Sequence, residues 1–272
     1  LKAQIKGKLI AEWEQSISYL NRPVSFRGSH LDVVEYEFQV PSKSGLPGKK
    51  IMFFSDLHWN DDCPLWKDEL KEVINSSAVD WLIYGGDLVC YSCYLNLAMR
   101  FMGDLRAERA KLAVYGNWDK RRRRWFPSDR WREFYRQAGF QLLVNESFTD
   151  GGLYINGTDD YKSGEPETVL AADECDFSVM VSHNPDFIGD CSDRELLSAY
   201  NLILCGHTHG GQIRFPFWGA LKTSSKYWKK FEYGLYSLKD SQLKMIVSSC
   251  VGTSFVPIRF FCRPEVILIK LV

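Results

Sequence analysis

Short apolar runs, each closed by a polar turn, recur through the middle of the chain. Residues 51–54 lead to Asp56, 79–84 to Asp87, 112–115 to Asn117, 177–181 to His183, and 202–205 to His207. Periodicity alone does not separate runs this short from buried helix segments. Their length and bounding glycines predict strands. Between them, 64–75 and 94–111 carry helical spacing. Strand, polar loop and helix in repetition predict a layered α/β fold, with ligands at the carboxyl ends of the strands. Two further runs, Leu142-Leu143-Val144 and Leu153-Tyr154-Ile155, flank a polar turn and predict a second sheet; 234–238, 243–248 and 266–271 alternate like sheet as well. At the start, Ile5, Leu9, Trp13, Ile17 and Leu20 fall near one helical face, with Lys2, Lys6 and Lys8 elsewhere. An amphipathic helix is expected there, docked on the domain, with a basic start that would also suit a membrane surface. Residues 1–48 are thus expected to be that helix and a lead-in strand, ahead of one domain over 49–272.

With 272 residues and 45% apolar content, the chain can bury the core of one large domain. The formal net charge is zero, so no nucleic-acid partner is expected. Charge is concentrated locally, however: 120–124 is an unbroken basic run, with Arg130 and Arg132 beyond it and Trp125, Phe126 and Trp131 interleaved. The segment of about 120–140 therefore reads as a basic, aromatic lid. Eight cysteines show no regular spacing, and Cys90-x-x-Cys93 lacks the second pair of a zinc knuckle. They suit buried positions in a reducing cytosol. No run approaches the ~20 apolar residues of a membrane span. A start at Leu1 leaves room for an anchoring segment upstream.

Four of the five histidines lie in the polar turns, as Asp56-Leu57-His58, His183-Asn184-Pro185 and His207-Thr208-His209. With Asp87 and Asn117 they form seven oxygen and nitrogen donors at five strand ends. That suits two divalent ions sharing one carboxylate, with Mn²⁺ favoured and Fe, Zn²⁺ or Mg²⁺ also accommodated. On an extended chain, residues two apart point the same way, so Asp56/His58 and His207/His209 can each converge on one ion. Ser55 and Ser182 read as turn hydroxyls.

In order, Asp56-Leu57-His58, Gly86-Asp87, Gly116-Asn117, His183 and Gly206-His207-Thr208-His209 resemble the motifs of the calcineurin-like metallophosphoesterase superfamily. His183-Asn184-Pro185-Asp186, Gly210-Gly211-Gln212, Gly252-Thr253-Ser254 and Cys262-Arg263-Pro264-Glu265 narrow the resemblance to a branch that often has a membrane anchor upstream. The resemblance implies a four-layer α/β/β/α sandwich of two mixed sheets, with a dimetal site at strand ends and a lid insertion. It also implies that Asp56, His58 and His209 hold one ion, that Asn117, His183 and His207 hold the other, and that Asp87 bridges them. Asp87, Asn117 and His183 carry the catalytic role. Two such ions acidify a shared water and clamp phosphoryl oxygens.

Many members of the superfamily have a proton-donating histidine after the asparagine; this chain has Trp118. Indole cannot act as an acid near neutral pH, so a leaving group that needs no protonation is expected. Gly116-Asn117-Trp118-Asp119 resembles the UDP-2,3-diacylglucosamine pyrophosphatases of lipid A synthesis. The expected reaction is cleavage of that lipid-linked nucleotide to lipid X and UMP by a monomer at the cytoplasmic face of the inner membrane. Trp118 and the basic run 120–124, with Arg122, Arg123 and Arg124 foremost, would contact the substrate. Trp125, Phe126, Trp131, Phe215, Phe217 and Trp218 could line a groove for acyl chains or stack a uracil. The rival readings are a phosphodiesterase or phosphatase for another lipid or nucleotide, and a non-catalytic scaffold of the same fold.

Overall fold

The computed structural model describes residues 9–18, 21–60, 64–121, 127–167, 169, 174–254 and 256–272. One mixed sheet is built from β2 (Val24–Arg27), β3 (Asp32–Phe38), β4 (Lys50–Phe54), β5 (Trp81–Tyr84), β6 (Ala110–Ala113), β7 (Phe140–Leu142) and β16 (Glu265–Leu271). Its order is β2-β3-β16-β4-β5-β6-β7, parallel from β4 through β7. The other is built from β1 (Trp13–Ile17), β8 (Glu146–Asp150), β9 (Leu153–Gly157), β10 (Phe177–Val181), β11 (Leu202–Cys205), β14 (Gly234–Leu238) and β15 (Lys244–Val247). Its order is β1-β14-β15-β11-β10-β9-β8. A short hairpin, β12 (Arg214–Phe215) and β13 (Gly219–Ala220), stands apart from both.

Strand alternation builds the layers. Along β4, Ile51 and Phe53 enter the core between the sheets, where they join Val179, Val181, Leu204 and Ile246 of the second sheet. Met52 and Phe54 point the other way, under α1 (Pro64–Ser76), α2 (Leu95–Asp104) and α4 (Ser128–Gln137), whose Leu70, Met102 and Tyr135 cover them. On the outer face of the second sheet, Met180, Ile203 and Met245 meet Ile188 of α5 (Pro185–Asp190) and Leu197 of α6 (Arg194–Ser198). The expected helix–sheet–sheet–helix order is therefore observed. Strand interiors buried on both faces explain the near-continuous apolar runs.

Three expectations are corrected. The N-terminal stretch is not one helix: Leu9–Glu12 is a single 3₁₀ turn, and Trp13–Ile17 is a strand antiparallel to β14. A bulge between Gln15 and Ile17 puts Trp13 in the outer core beside Phe231 and Ile17 in the inter-sheet core. Apolar residues four apart thus mimicked a helical stripe. Residues 1–8, 19 and 20 lie outside the described residues. Nor are residues 9–48 a separate lead-in, because β1, β2 and β3 belong to the two sheets. Finally, the run 142–144 does not begin the second sheet: β7 pairs with β6, while β9 lies between β8 and β10. As a largely exposed edge strand, β8 offers little apolar pattern.

Candidate metal centre

The turns after these strands are not extended. Asp56 (φ 57°), His58 (φ 43°), Asp87 (φ 60°), His207 (φ 68°) and His209 (φ 53°) all occupy left-handed backbone. For residues other than glycine this costs about 1–3 kcal/mol each and persists only where the surroundings over-determine it. Here they do. Asp56 N–H donates to Gly86 O at 2.9 Å, and His58 N–H donates to Asp87 O at 3.0 Å. His207 N–H donates to Asp56 Oδ2 at 3.0 Å. Two glycines make room: a Cβ on Gly116 would lie 2.1 Å from Asp87 Oδ1, and one on Gly206 would lie 2.4 Å from Asp56 Oδ2. Left-handed turns, rather than an extended chain, aim the side chains inward.

Donor atoms converge in two buried groups that share Asp87: Asp56, His58 and Asp87, and Asp87, His183 and His207. His58 Nε2 is 3.4 Å and His183 Nε2 3.5 Å from the same oxygen, Asp87 Oδ2. His209 Nε2 is 3.2 Å from Asp56 Oδ1 and 3.2 Å from His58 Nε2. His207 Nδ1 is 3.2 Å from His183 Nε2. The far ring nitrogens are occupied, since His183 Nδ1 lies 2.7 Å from Gly85 O and His209 Nδ1 3.3 Å from Gly252 O. A carbonyl can only accept, so Nδ1 of each carries the proton and Nε2 turns a lone pair inward. Asn117 Oδ1 is buried and accepts no hydrogen bond from a described residue. Ring nitrogens only 3.2 Å apart beside shared carboxylates, and a buried amide oxygen left without a partner among the described residues, fit cations bound among them.

Electrostatics agrees. Burial raises the pKa of Asp56, yet His183 and His209 hold it well below the usual range. Burial lowers that of His58, but hydrogen bonds to Asp56 and Cys90 and the charge of Asp87 lift it to about 10. His183 is likewise disfavoured by burial and lifted to about 10, mainly by Asp87 and Asp56. The carboxylates thus favour positive charge at His58 and His183, while burial lowers the pKa of His207 and His209 and favours their neutral, donor form.

Sequence reasoning missed several supporting residues. Asp119 is fully buried and accepts three backbone N–H bonds, from Asp87 (2.8 Å), Leu88 (2.9 Å) and Gly116 (2.9 Å). It ties the Asp87 turn to the Asn117 turn. Burial first, and then Asp87, push its carboxyl up to about 7. Lys162 Nζ lies 2.7 Å from His207 Nε2 and donates to Ser224 O at 2.9 Å. Cys250 Sγ stands within 4.8 Å of donor atoms of Asp56 and His209, its thiol pushed well up by burial and by Asp56. Gln212 Oε1 accepts from Ser254 N–H at 2.6 Å, and its amide donates to Val256 O and Ile258 O, which holds Ser254, Val256 and Ile258 beside the site.

The basic run needs correction. Lys120 is buried and spent on Asp159, its Nζ 2.6 Å from Oδ1. Asp159 also caps the backbone N–H groups of Asp160 and Glu165. Lys120→Ala should leave Asp159 uncompensated and destabilise the fold by about 3–5 kcal/mol, read as a lowered urea midpoint. Unchanged stability would return Lys120 to the substrate-contact reading. Arg122, Arg123, Arg124, Trp125 and Phe126 lie outside the described residues. Trp131 is buried, stacked on Tyr135 at 6.2 Å, so it lines no substrate groove.

Residues 49–211 match the family described as calcineurin-like phosphoesterase. The chain belongs to that family. It is 30% identical over 242 residues to the uncharacterized metallophosphoesterase YkuE of Bacillus subtilis, covering 84% of this chain and 80% of that protein. It is 28% identical over 240 residues to phosphodiesterase YaeI of Escherichia coli, covering 82% of each. As a calcineurin-like phosphoesterase it is a metal-dependent phosphoester hydrolase, and the family's centre takes two ions. Asp87 stands between the two donor groups, where a bridging ligand is needed.

Proposed function

We propose that this chain cleaves the pyrophosphate bond of UDP-2,3-diacylglucosamine to lipid X and UMP, with Mn²⁺, at the cytoplasmic face of the inner membrane. The observation that carries the reading is Trp118. Its ring meets His58 edge-on with centroids 5.2 Å apart, and its backbone N–H donates to Asp87 Oδ1 at 2.7 Å. The position from which a histidine could protonate a leaving group is thus filled by an indole, whose N–H is not acidic near neutral pH. An alkoxide needs that proton. A phosphate monoester, with its second pKa of about 6, leaves without it.

In this reading Asp56, His58 and His209 hold one cation, Asn117, His183 and His207 the second, and Asp87 both. Cations bound there would supply an acidified water and neutralise phosphoryl charge. Water adds to one phosphorus, the P–O–P linkage breaks, and the departing phosphate keeps the electron pair. Lys162 adds a positive charge at the His207 edge, where it can steady a phosphoryl oxygen. Trp118 caps the His58 side and keeps bulk water from it.

The test is a panel of UDP-2,3-diacylglucosamine, an alkyl phosphodiester and cyclic nucleotides, assayed with Mn²⁺. The UDP-lipid should turn over fastest. Faster cleavage of the alkyl diester would overturn the reading in favour of a phosphodiesterase acting on another lipid or nucleotide. The name of the E. coli relative favours that alternative. Trp118→His should raise alkyl diester turnover by about 10²-fold, the usual contribution of a general acid, with the UDP-lipid rate nearly unchanged. Equal gains on both substrates would remove the argument from Trp118.

A further inference from the structure

An apolar surface opens beside the metal centre. At the tip of the β12–β13 hairpin Phe217 is fully exposed and Trp218 is 70% exposed, with Leu221 exposed just after it. Phe217 adopts φ 65°, so local backbone strain is accepted to display it. A second segment adds the exposed side chains of Val256, Ile258 and Phe261. The two are one surface: Phe215 and Phe260 meet edge to face at 5.8 Å, and Arg214 N–H donates to Phe260 O at 2.9 Å. Exposed apolar area this continuous marks an interaction site.

Charge indicates the partner. From 212 to 231 and from 251 to 264 there is no Asp or Glu. Of the cations there, Lys226 pairs with Asp190 and Arg263 with Asp32, and Lys230 and Arg259 bond to backbone carbonyls. Lys222 and Lys229, beside the aromatic tip, therefore carry the charge argument. The carboxylates that follow, Glu232 and Glu265, are buried. Lys229 Nζ lies 4.9 Å from the Trp218 ring centroid and bonds to Trp218 O, which puts a cation at the base of the aromatic tip. Aromatic side chains at a hairpin tip with lysines behind them suit the boundary between acyl chains and anionic headgroups. A cavity of about 500 Å³ is lined by Leu221, Lys222 and Val256 on this surface and by Lys162, His209 and Gln212 at the centre.

We propose that the β12–β13 hairpin and the 256–261 loop dock this protein on an anionic lipid bilayer and open the metal centre toward it. The proposal deepens the membrane part of the proposed function and rests on that reading for its location. Its test needs no turnover of the lipid substrate, so the two can fail separately.

Full-length, metal-loaded protein is sedimented with phosphatidylcholine vesicles with and without phosphatidylglycerol. Binding is expected to the anionic vesicles and to weaken with salt. Phe217→Ser/Trp218→Ser should lower vesicle affinity at least about tenfold through lost apolar burial. Lys222→Glu/Lys229→Glu should abolish the preference for phosphatidylglycerol. Both variants should keep the wild-type melting temperature. Unchanged affinity in the aromatic variant would overturn the proposal. So would light scattering that shows a wild-type dimer made monomeric by Phe217→Ser/Trp218→Ser, which would make a second copy the occupant.

Discussion

Replacing Asp87 with alanine is expected to lower turnover by more than about 100-fold, beyond the 10–100-fold typical of residues that only support a metal ligand. The same variant should bind fewer than two cations per chain. The reason is the geometry of one carboxylate. Its Oδ1 accepts the Trp118 backbone N–H, and its Oδ2 faces His58 on one side and His183 on the other. Alanine removes the oxygen that both donor groups share and leaves Trp118 N–H without that acceptor. Metal analysis by mass spectrometry alongside steady-state rates checks both effects. A variant that still bound two cations and turned over normally would show that Asp87 does not join the groups.

The second large effect is expected at Asp119, which touches no proposed metal donor except through backbone. Asp119→Asn keeps the size of the side chain but presents an amide NH₂ to a pocket of three N–H donors. At least one donor loses its acceptor, at about 1–3 kcal/mol. The Asp87 and Asn117 turns then lose their common anchor, and metal affinity should fall about 10–100-fold. Urea unfolding of metal-free protein reads the first effect, and Mn²⁺ titration by calorimetry reads the second. A weakened fold with intact metal affinity would confine Asp119 to a structural role. Intact stability with weakened metal binding would mean that the amide finds new partners while the turns still move.

Much of this arrangement was legible in the chain because its strands are buried on both faces and end in polar turns. Apolar runs before Asp56, Asp87, Asn117, His183 and His207 marked the strand ends directly. What could not be read depends on long-range geometry. The positive φ of five donor residues is set by hydrogen bonds between turns far apart in the sequence, such as His207 N–H to Asp56. Asp119 was visible beside Asn117, yet its role depends on Asp87 and Leu88, more than thirty residues away. Lys162 and Cys250 reach the centre from segments whose local pattern carries no sign of it. Lys120 misled for the opposite reason: a charge run suggests a solvated or ligand-gripping face, while Asp159 waits in a buried loop to pair with it. At β1 a bulge turned an apparent helical stripe into two strand faces, a change that no periodicity records.

Asp87 and the six side chains assigned around it are proposed to hold two cations. Anomalous diffraction at the manganese edge, on crystals grown with Mn²⁺, tests this most directly. Two peaks are expected, one among Asp56, His58 and His209 and the other among Asn117, His183 and His207, with Asp87 contacting both. A single peak, or a second peak away from Asp87, would contradict it.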